Sequence, residues 1–224
     1  VACRMSHVAC CDLERPVEVV RLAQQLDPDP GHAEHTARLA TQLFDRTKLL
    51  HGLGDSEREL LDAAAIVHNV GLFISHSSHH KHSYYVIRNS EQLTGFTEHE
   101  VELIAVLARY HRKSHPTEKH DEFAALRKGD QRLVRQLAGM LRLAIGLDRR
   151  HAGLVESMRV IIKDGTVRIE PLAPGAPDID GGIDLEMYAA RERSRLFAQT
   201  FDVTVEIDVS AHDADEDAAG LESS

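Results

Sequence analysis

The sequence is 224 residues long, carries a formal net charge of −10, and is 42% hydrophobic but only 4% aromatic. This length suits one large domain or one and a half smaller ones. The negative charge argues against nucleic-acid binding by the chain as a whole, and no apolar stretch reaches the roughly 18 residues that a membrane span needs. Packing must depend on Leu, Val, Ile and Ala, a composition that favours helices.

The three cysteines, Cys3, Cys10 and Cys11, all lie near the N-terminus. With His7 they could form a zinc knuckle, but their spacing does not match a usual zinc-ligand pattern, and a loose, reduced N-terminus accounts for them better. The absence of cysteine elsewhere, with no secretory signal pattern, predicts a cytoplasmic protein without disulfides. The chain begins with Val rather than Met. We therefore expect that it is a segment with artificially chosen ends or a piece of a longer protein.

The N-terminal part of the chain predicts an irregular segment followed by two helices. Residues 1–15 show no periodicity, whereas Pro16 suits the first turn of a helix. A turn rich in Asp and Pro follows, and a second helix is predicted for residues 32–50. His35 lies on the apolar stripe of this second helix and is therefore expected to be buried.

The next predicted helix leads into the most distinctive stretch of the sequence. Its N-terminus is predicted at Asp55 or Ser56, with Glu59 completing a capping box. Its second half is an apolar run without alternation, which is typical of a helix buried on most sides. His68 and Asn69 directly follow this run and are therefore predicted to lie at the end of the helix.

Histidines crowd the residues that follow this helix, at positions 76, 79, 80 and 82. Neutral imidazole ligates Zn, Fe, Ni or Mn, so the cluster is consistent with a metal site. The alternative is a polar, partly exposed loop in a protein rich in histidine. The pattern alone leaves both interpretations open.

Two further helices are predicted downstream of the histidines. Residues 82–89 form a short helix, and Thr97 with Glu100 forms a second capping box. The helix that this box opens carries His111 on its apolar face and is predicted to end at Pro116.

A polar connection, residues 114–129, leads to a long helix predicted for residues 130–149. Asp148 falls on or near the apolar stripe of this helix. A carboxylate in that position needs a partner.

Beyond residue 150 the pattern changes to β-β-α-β. Two β-type runs are joined by Asp164 and Gly165, a strong hairpin signal. An amphipathic helix at residues 183–199 and a strand at residues 201–207 follow. We therefore predict a mainly α protein with four parts: an irregular N-terminus (1–15), a helical domain (16–152), a small α/β subdomain (153–208) and a disordered acidic tail (209–224).

The candidate site residues fall on successive helices. A His on one helix, a His-Asp pair on the next and an Asp on a later one is the arrangement of the HD phosphohydrolases, in which metal ions bind phosphate oxygens and activate water. Four segments resemble, more closely, the C-terminal HD-like region of the exopolyphosphatase/guanosine-pentaphosphate phosphohydrolase (Ppx/GppA) family. They are LDPDPGHAEHTARLATQLFD, HNVGLFISHSSHHKHSYYVIRNSEQLTGFT, ARYHRKSHP and LVRQLAGMLRLAIGLDRRH.

This resemblance covers roughly residues 14–208 and implies an HD-like helical bundle followed by the family's small final domain. In that family hydrolysis belongs to two N-terminal actin-like domains, whose Gly-rich phosphate loops and acidic catalytic residues have no counterpart here. The C-terminal part is associated with polyphosphate binding, chain-length preference and dimerisation.

Three functions remain open at this point. The favoured one is an accessory module that binds polyphosphate or another phosphorylated ligand and supports a homodimer or an actin-like phosphatase half. The second is an autonomous metal-dependent HD phosphohydrolase acting on a nucleotide or another phosphate ester. The third is a degenerate HD fold that only binds a partner.

The inward-facing residues and the basic residues give two candidate sets of site residues. A divalent metal (Mn, Fe, Mg or Zn) would be held by His35, His68, Asn69, His82, His111 and Asp148. Asn69 and Ile145 replace carboxylates of the HD pattern, which would weaken such a site. Phosphate would be bound by His79, His80, Lys81, His82, Arg88, Arg112 and Lys113, because Arg and Lys make charge-assisted hydrogen bonds to phosphate. These basic residues could alternatively be ordinary solvated faces.

Overall fold

The computed structural model describes residues 8–175 and 182–208. The predicted fold class is confirmed, because the described chain is mainly helical and has one small three-stranded sheet. The predicted acidic tail lies outside the described residues. The helices are α1 (Val8–Leu26), α2 (Pro30–Arg46), α3 (Lys48–His51), α4 (Asp55–Val67), α5 (His79–Arg88), α6 (Glu98–Arg109), α7 (Asp121–Ala124), α8 (Lys128–Leu147), α9 (Asp184–Arg193) and α10 (Arg195–Phe201).

Helix α1 begins earlier than the sequence pattern predicts. It starts at Val8, so the part of residues 1–15 from Val8 onward is helical rather than irregular, and Pro16 lies inside the helix instead of in its first turn. Arg15 anchors this segment by donating hydrogen bonds to the Gly95 carbonyl (2.8 Å) and the Glu100 carboxylate (3.2 Å). Contacts between distant parts of the chain produce no periodic pattern in the local sequence, so the sequence pattern did not indicate this part of the helix.

The apolar stripes predicted for α2, α6 and α8 form the centre of the molecule. Their side chains pack together with α4, whose run of small and apolar residues is buried on most sides as predicted. The fully buried members with the largest side chains include Leu39, Leu43, Phe44, Leu61, Ile104, Leu107 and Leu137. This core fixes the ends of α4 and α6, from which the candidate site is built.

One predicted capping box is confirmed and the other is shifted. At α6 the Glu100 N–H donates to the Thr97 hydroxyl (3.2 Å), and the Thr97 N–H donates to the Glu100 carboxylate (2.7 Å). At α4 the prediction was wrong, because Gly54 is the N-cap and donates its N–H to Glu57 (2.8 Å). The capping residue thus lies one position before Asp55 and two before Ser56, and Glu59 instead forms an ion pair with Arg15.

We expect Thr97→Ala to lower the free energy of unfolding by about 1 kcal/mol, because the Glu100 N–H loses its acceptor at the start of α6. Urea titration followed by circular dichroism measures this change. Ser77→Ala is the matched control, since Ser77 is exposed and caps no helix. Equal stabilities for the two variants would contradict the capping role.

Helix α6 ends at Arg109, not at Pro116 as predicted. The Arg142 guanidinium, from α8, donates to the carbonyls of Tyr110 and Lys113 (3.0 Å each), so these groups are bound in a turn rather than in a further helical turn. The early ending turns the chain sharply after the helix.

The sheet contains β1 (Ser157–Lys163), β2 (Thr166–Leu172) and β3 (Thr204–Ile207), in that order. Strands β1 and β2 are antiparallel and joined by Asp164 and Gly165, which both adopt positive φ, so the predicted hairpin is confirmed. Strand β3 pairs in parallel with β2 after the crossover through α9 and α10. The helix predicted for residues 183–199 is thus divided in two.

Helices α9 and α10 pack directly on α8. The approach is so close that a Cβ on Gly146 would lie 2.5 Å from the Ala190 Cα, and one on Gly139 would lie 3.0 Å from the Phe197 Cα. This packing brings Arg193, the last residue of α9, to the surface of the helical bundle.

Candidate anion-binding cleft

A cleft of about 250 Å³ lies between the ends of the bundle helices and α9. Its walls are rich in histidine and arginine. The lining residues are His32, His68, Asn69, Leu72, His79, His111, Arg112, Ile145, Arg149, His151 and Arg193.

The floor of the cleft is the junction between the end of α4 and the start of α5. The Ser83 hydroxyl donates to the His68 carbonyl (2.7 Å) and accepts from the Gly71 N–H (3.0 Å). Gly71 allows this contact, because a Cβ there would lie 2.2 Å from the His79 carbonyl oxygen. The missing side chain therefore places His79 beside the His68 turn.

Two buried histidines face the cleft with defined tautomers. His68 and His111 each donate from Nδ1 to the carbonyl three residues earlier (2.6 Å in both cases), so each Nε2 carries the lone pair. The His79 Nε2 lies 3.1 Å from the His111 Nε2 and donates to it, and Arg112 donates to the His79 Nδ1 (3.2 Å). A continuous hydrogen-bonded chain thus runs from Arg112 to His111.

These histidines are neutral at pH 7. Burial, followed by the proximity of His32, lowers the pKa of His68 to about 3. Burial and the neighbouring His68 lower the pKa of His111 well below its ordinary value, and burial with Arg112 lowers the pKa of His79. The positive charge of the cleft therefore belongs to its arginines.

Three arginines converge on the cleft from three elements: Arg112 follows α6, Arg149 follows α8 and Arg193 ends α9. Burial, followed by the charges of Arg149 and Arg112, lowers the pKa of Arg193. None of the ion pairs between described residues involves any of the three. The cleft is a concentration of positive charge that the described carboxylates do not neutralise.

Two carboxylates behind the cleft orient the rings of His32 and His151. His32 donates from Nδ1 to Asp148 (2.7 Å), and His151 donates from Nδ1 to Asp29 (2.7 Å). The two rings stack with centroids 3.6 Å apart. Burial by itself would raise the pKa of Asp148, but hydrogen bonds from His32 and the Gly153 N–H outweigh it and lower the pKa.

The residues of the predicted metal set do not come together as one set of ligands. His68, Asn69 and His111 line the cleft, but His35 does not, and its Nδ1 accepts a hydrogen bond from Arg38 (2.7 Å). His82 lines no part of the cleft, and Asp148 is bound to His32 behind it. Within residues 8–175 and 182–208, no three His, Cys, Asp or Glu side chains form a possible metal site.

The donor set of the cleft does not fit a divalent metal. Hard divalent cations require oxygen ligands with negative charge, and transition metals are stabilised by neighbouring carboxylates. The lining instead contains three arginines and no carboxylate, and Asn69 and Ile145 are uncharged.

The predicted phosphate set is divided by the structure. His79 and Arg112 line the cleft, while His80 and Lys81 line an adjacent depression. Arg88 is turned away and pairs with Glu102 (2.6 Å). His82 and Lys113 line neither.

Six lining residues were absent from both predicted sets: His32, Leu72, Ile145, Arg149, His151 and Arg193. His32 had a signal in the sequence, because it lies three residues before His35 on the same helix and close to its stripe. Arg193 had none, because its position depends on how α9 packs on α8.

Comparison of this chain with known proteins identifies its family. The model of the family described as "Ppx/GppA phosphatase, domain III" matches residues 15–170. The chain belongs to the Ppx/GppA phosphatase family. The predicted resemblance is thereby confirmed, and the match includes all of the cleft except Arg193.

Two relatives are both named guanosine-5'-triphosphate,3'-diphosphate pyrophosphatase. The one from Pseudoalteromonas translucida (strain TAC 125) is 32% identical over 124 residues, which is 55% of this chain and 23% of the relative. The one from Pseudoalteromonas atlantica (strain T6c / ATCC BAA-1087) is 28% identical over 160 residues, 66% of this chain and 31% of the relative. The matched region thus spans less than a third of either Ppx/GppA relative.

No helix within residues 8–175 and 182–208 is long and apolar enough to cross a bilayer.

Proposed function

We propose that this chain is the accessory module of a Ppx/GppA-type phosphohydrolase and binds polyphosphate or a phosphorylated small molecule in the arginine-lined cleft. One observation carries the proposal: Arg112, Arg149 and Arg193 converge on the cleft without an ion pair to any described carboxylate. Arg112 and Arg193 are half-buried and Arg149 is exposed. Like charges that are brought together repel one another, so an anionic ligand would relieve the repulsion among the three arginines.

The lining favours phosphate among anions. A guanidinium group binds phosphate oxygens through two parallel N–H donors, and three such groups match a tetrahedral, multiply charged ligand. The Nε2 lone pair of His68 can only accept, so His68 would contact the ligand through water or a protonated oxygen.

The names of the two relatives support a ligand with several phosphate groups. Both are named for action on guanosine 5'-triphosphate 3'-diphosphate. This chain corresponds to less than a third of each relative, so we propose binding, rather than the whole reaction, as its role. In this proposal hydrolysis takes place in an actin-like half.

The test compares two double variants that each remove two positive charges. We expect Arg149→Ala with Arg193→Ala to weaken the binding of tripolyphosphate roughly 100-fold, because two charge-assisted contacts are lost. Arg46→Ala with Lys48→Ala is the control, since both residues are exposed: Arg46 ends α2, about 20 Å from His32, and Lys48 begins α3. Isothermal titration calorimetry at about 50 and about 200 mM salt measures both affinities and their salt dependence.

The cleft variant should also lose part of the salt dependence, because fewer counterions are released on binding. The control should keep both the affinity and the slope of the wild type. Equal affinities for the two double variants would overturn the proposal. Circular dichroism establishes that both variants are folded.

We further propose, from the family resemblance, a homodimer in the cytoplasm that associates with an actin-like phosphatase half. Sedimentation equilibrium of the purified chain measures the first association. A monomer at all concentrations would contradict homodimerisation by this chain alone.

A further inference from the structure

Arg142 is a buried cation near the end of α8 that does not line the cleft. Only 8% of the residue is exposed, and none of the ion pairs between described residues involves it. Burial, followed by the charge of Arg193, lowers the pKa of Arg142 to about 10, so its guanidinium group is still charged at pH 7. A buried charge without a balancing carboxylate is unfavourable, so the contacts that it does make need an explanation.

The guanidinium group of Arg142 binds both ends of one turn. Its Nη1 donates to the Tyr110 carbonyl and its Nη2 donates to the Lys113 carbonyl, each over 3.0 Å. Tyr110 is the C-cap of α6, where backbone carbonyls lack partners within the helix and bind cationic side chains favourably. The two residues between these contacts, His111 and Arg112, both line the cleft.

The turn has an unfavourable backbone conformation at its end. Lys113 has a φ of 60°, in the left-handed region that side chains other than glycine rarely adopt. The Lys113 carbonyl is the group that Arg142 binds. A hydrogen bond from a charged donor contributes a free energy of the same order as the cost of such a conformation, so this contact can maintain it.

The place of the Arg112 guanidinium group depends on this turn. Among the described residues, His79 is the only hydrogen-bond partner of the Arg112 side chain, with Nη1 3.2 Å from the His79 Nδ1. A long side chain with one such contact keeps much of its rotamer freedom. The backbone of the turn therefore decides which part of the cleft Arg112 can reach.

We propose that Arg142 is a positioning residue for the cleft: it holds the turn from Tyr110 to Lys113 in the conformation in which Arg112 faces the bound anion. The inference rests on the proposed function of the cleft and adds a residue outside the cleft on which its affinity depends. Because Arg142 does not line the cleft, it acts through Arg112 and not by contact with the ligand.

The test is a double-mutant cycle, with tripolyphosphate binding measured by isothermal titration calorimetry. Arg142→Lys keeps the positive charge but presents one nitrogen in place of the planar fork that binds two carbonyls. We expect this substitution to weaken binding about tenfold. In a chain that already carries Arg112→Ala it should have almost no further effect, whereas in a chain with Arg149→Ala the loss should be retained in full.

Two substitutions in the turn provide a second measurement that does not require an Arg142 variant. Lys113→Gly and Lys113→Val remove the same exposed charge, but only glycine adopts a positive φ without strain. We expect Lys113→Val to bind tripolyphosphate several-fold more weakly than Lys113→Gly. Equal affinities would show that the conformation of the turn does not position Arg112.

Thr97→Ala separates positioning from overall stability. It weakens the opposite end of α6 and leaves the turn intact, so it should lower the stability and keep the affinity of the wild type. Circular dichroism establishes that each variant is folded.

The outcomes distinguish this inference from the proposed function. If the wild type does not bind tripolyphosphate, the function proposed for the cleft fails, and the positioning role fails with it. If the wild type binds but Arg142→Lys binds equally well, the positioning role is overturned while the cleft stands. A tenfold loss that is the same with and without Arg112 also overturns it, because Arg142 would then act by another route.

Discussion

Gly71→Ala should lower the free energy of unfolding by about 3 kcal/mol, the upper part of the range for overpacking. A Cβ at this position would lie 2.2 Å from the His79 carbonyl oxygen and 2.3 Å from the Ser83 nitrogen. Both are backbone atoms, which cannot move aside without shifting α5. The Ser83 hydroxyl, which bridges Gly71 and the His68 carbonyl, would be displaced as well.

Gly129→Ala is the control for this substitution. Gly129 lies in the first turn of α8, its φ is not positive, and nothing lies within 4 Å of a Cβ there. Replacing it should leave the stability unchanged or raise it slightly, because alanine has the higher helix propensity. Chemical denaturation measures both variants, and a Gly71→Ala protein as stable as Gly129→Ala would show that α5 can move freely against α4.

Acidification should destabilise the protein through His68. Its pKa is about 3 in the folded protein and about 6.5 when unfolded, so between these values the unfolded chain binds a proton that the folded chain does not. The stability contributed by the neutral ring is fully present above pH 6.5 and is lost as the pH falls. Between pH 7 and pH 5 this single histidine should lower the free energy of unfolding by about 2 kcal/mol.

The measurement is the slope of unfolding free energy against pH, taken by urea titration of chelator-treated protein. His68→Gln should reduce that slope between pH 6.5 and pH 5, whatever its effect on stability at pH 7. His76→Gln is the control, since His76 is exposed and should leave the slope unchanged. An identical slope in the wild type and in His68→Gln would rule out a buried neutral ring at this position.

Local patterns were sufficient to predict most elements of the fold. The apolar stripe of α8, the capping box at Thr97 and the hairpin at Asp164 each depend on residues a few positions apart, whose preferences act before any tertiary contact forms. The burial of His68 and His111 was predictable for the same reason, because each follows an apolar helical face. The errors are at helix boundaries: the starts at Val8 and Gly54, the end at Arg109, and the division of the last predicted helix into α9 and α10.

The composition of the site was only partly predictable. His79 and Arg112 were expected to act together and do line one cleft, whereas Arg88 was grouped with them by its charge and is neutralised by Glu102. An ion pair between different helices leaves no trace in local spacing. A basic residue that is free and one that is paired therefore look the same in the sequence.

Local amino-acid patterns were enough to identify the family, the helical bundle with its small α/β part, and the histidines at the ends of the buried helices. The position of Arg193 beside Arg112 and Arg149 depends on helix packing, because α9 approaches α8 closely at Gly146. Tertiary contacts likewise place the Asp148 carboxylate against the His32 ring. Charges separated by many residues converge only when helices pack, and that convergence is the basis on which we propose that the cleft binds anions.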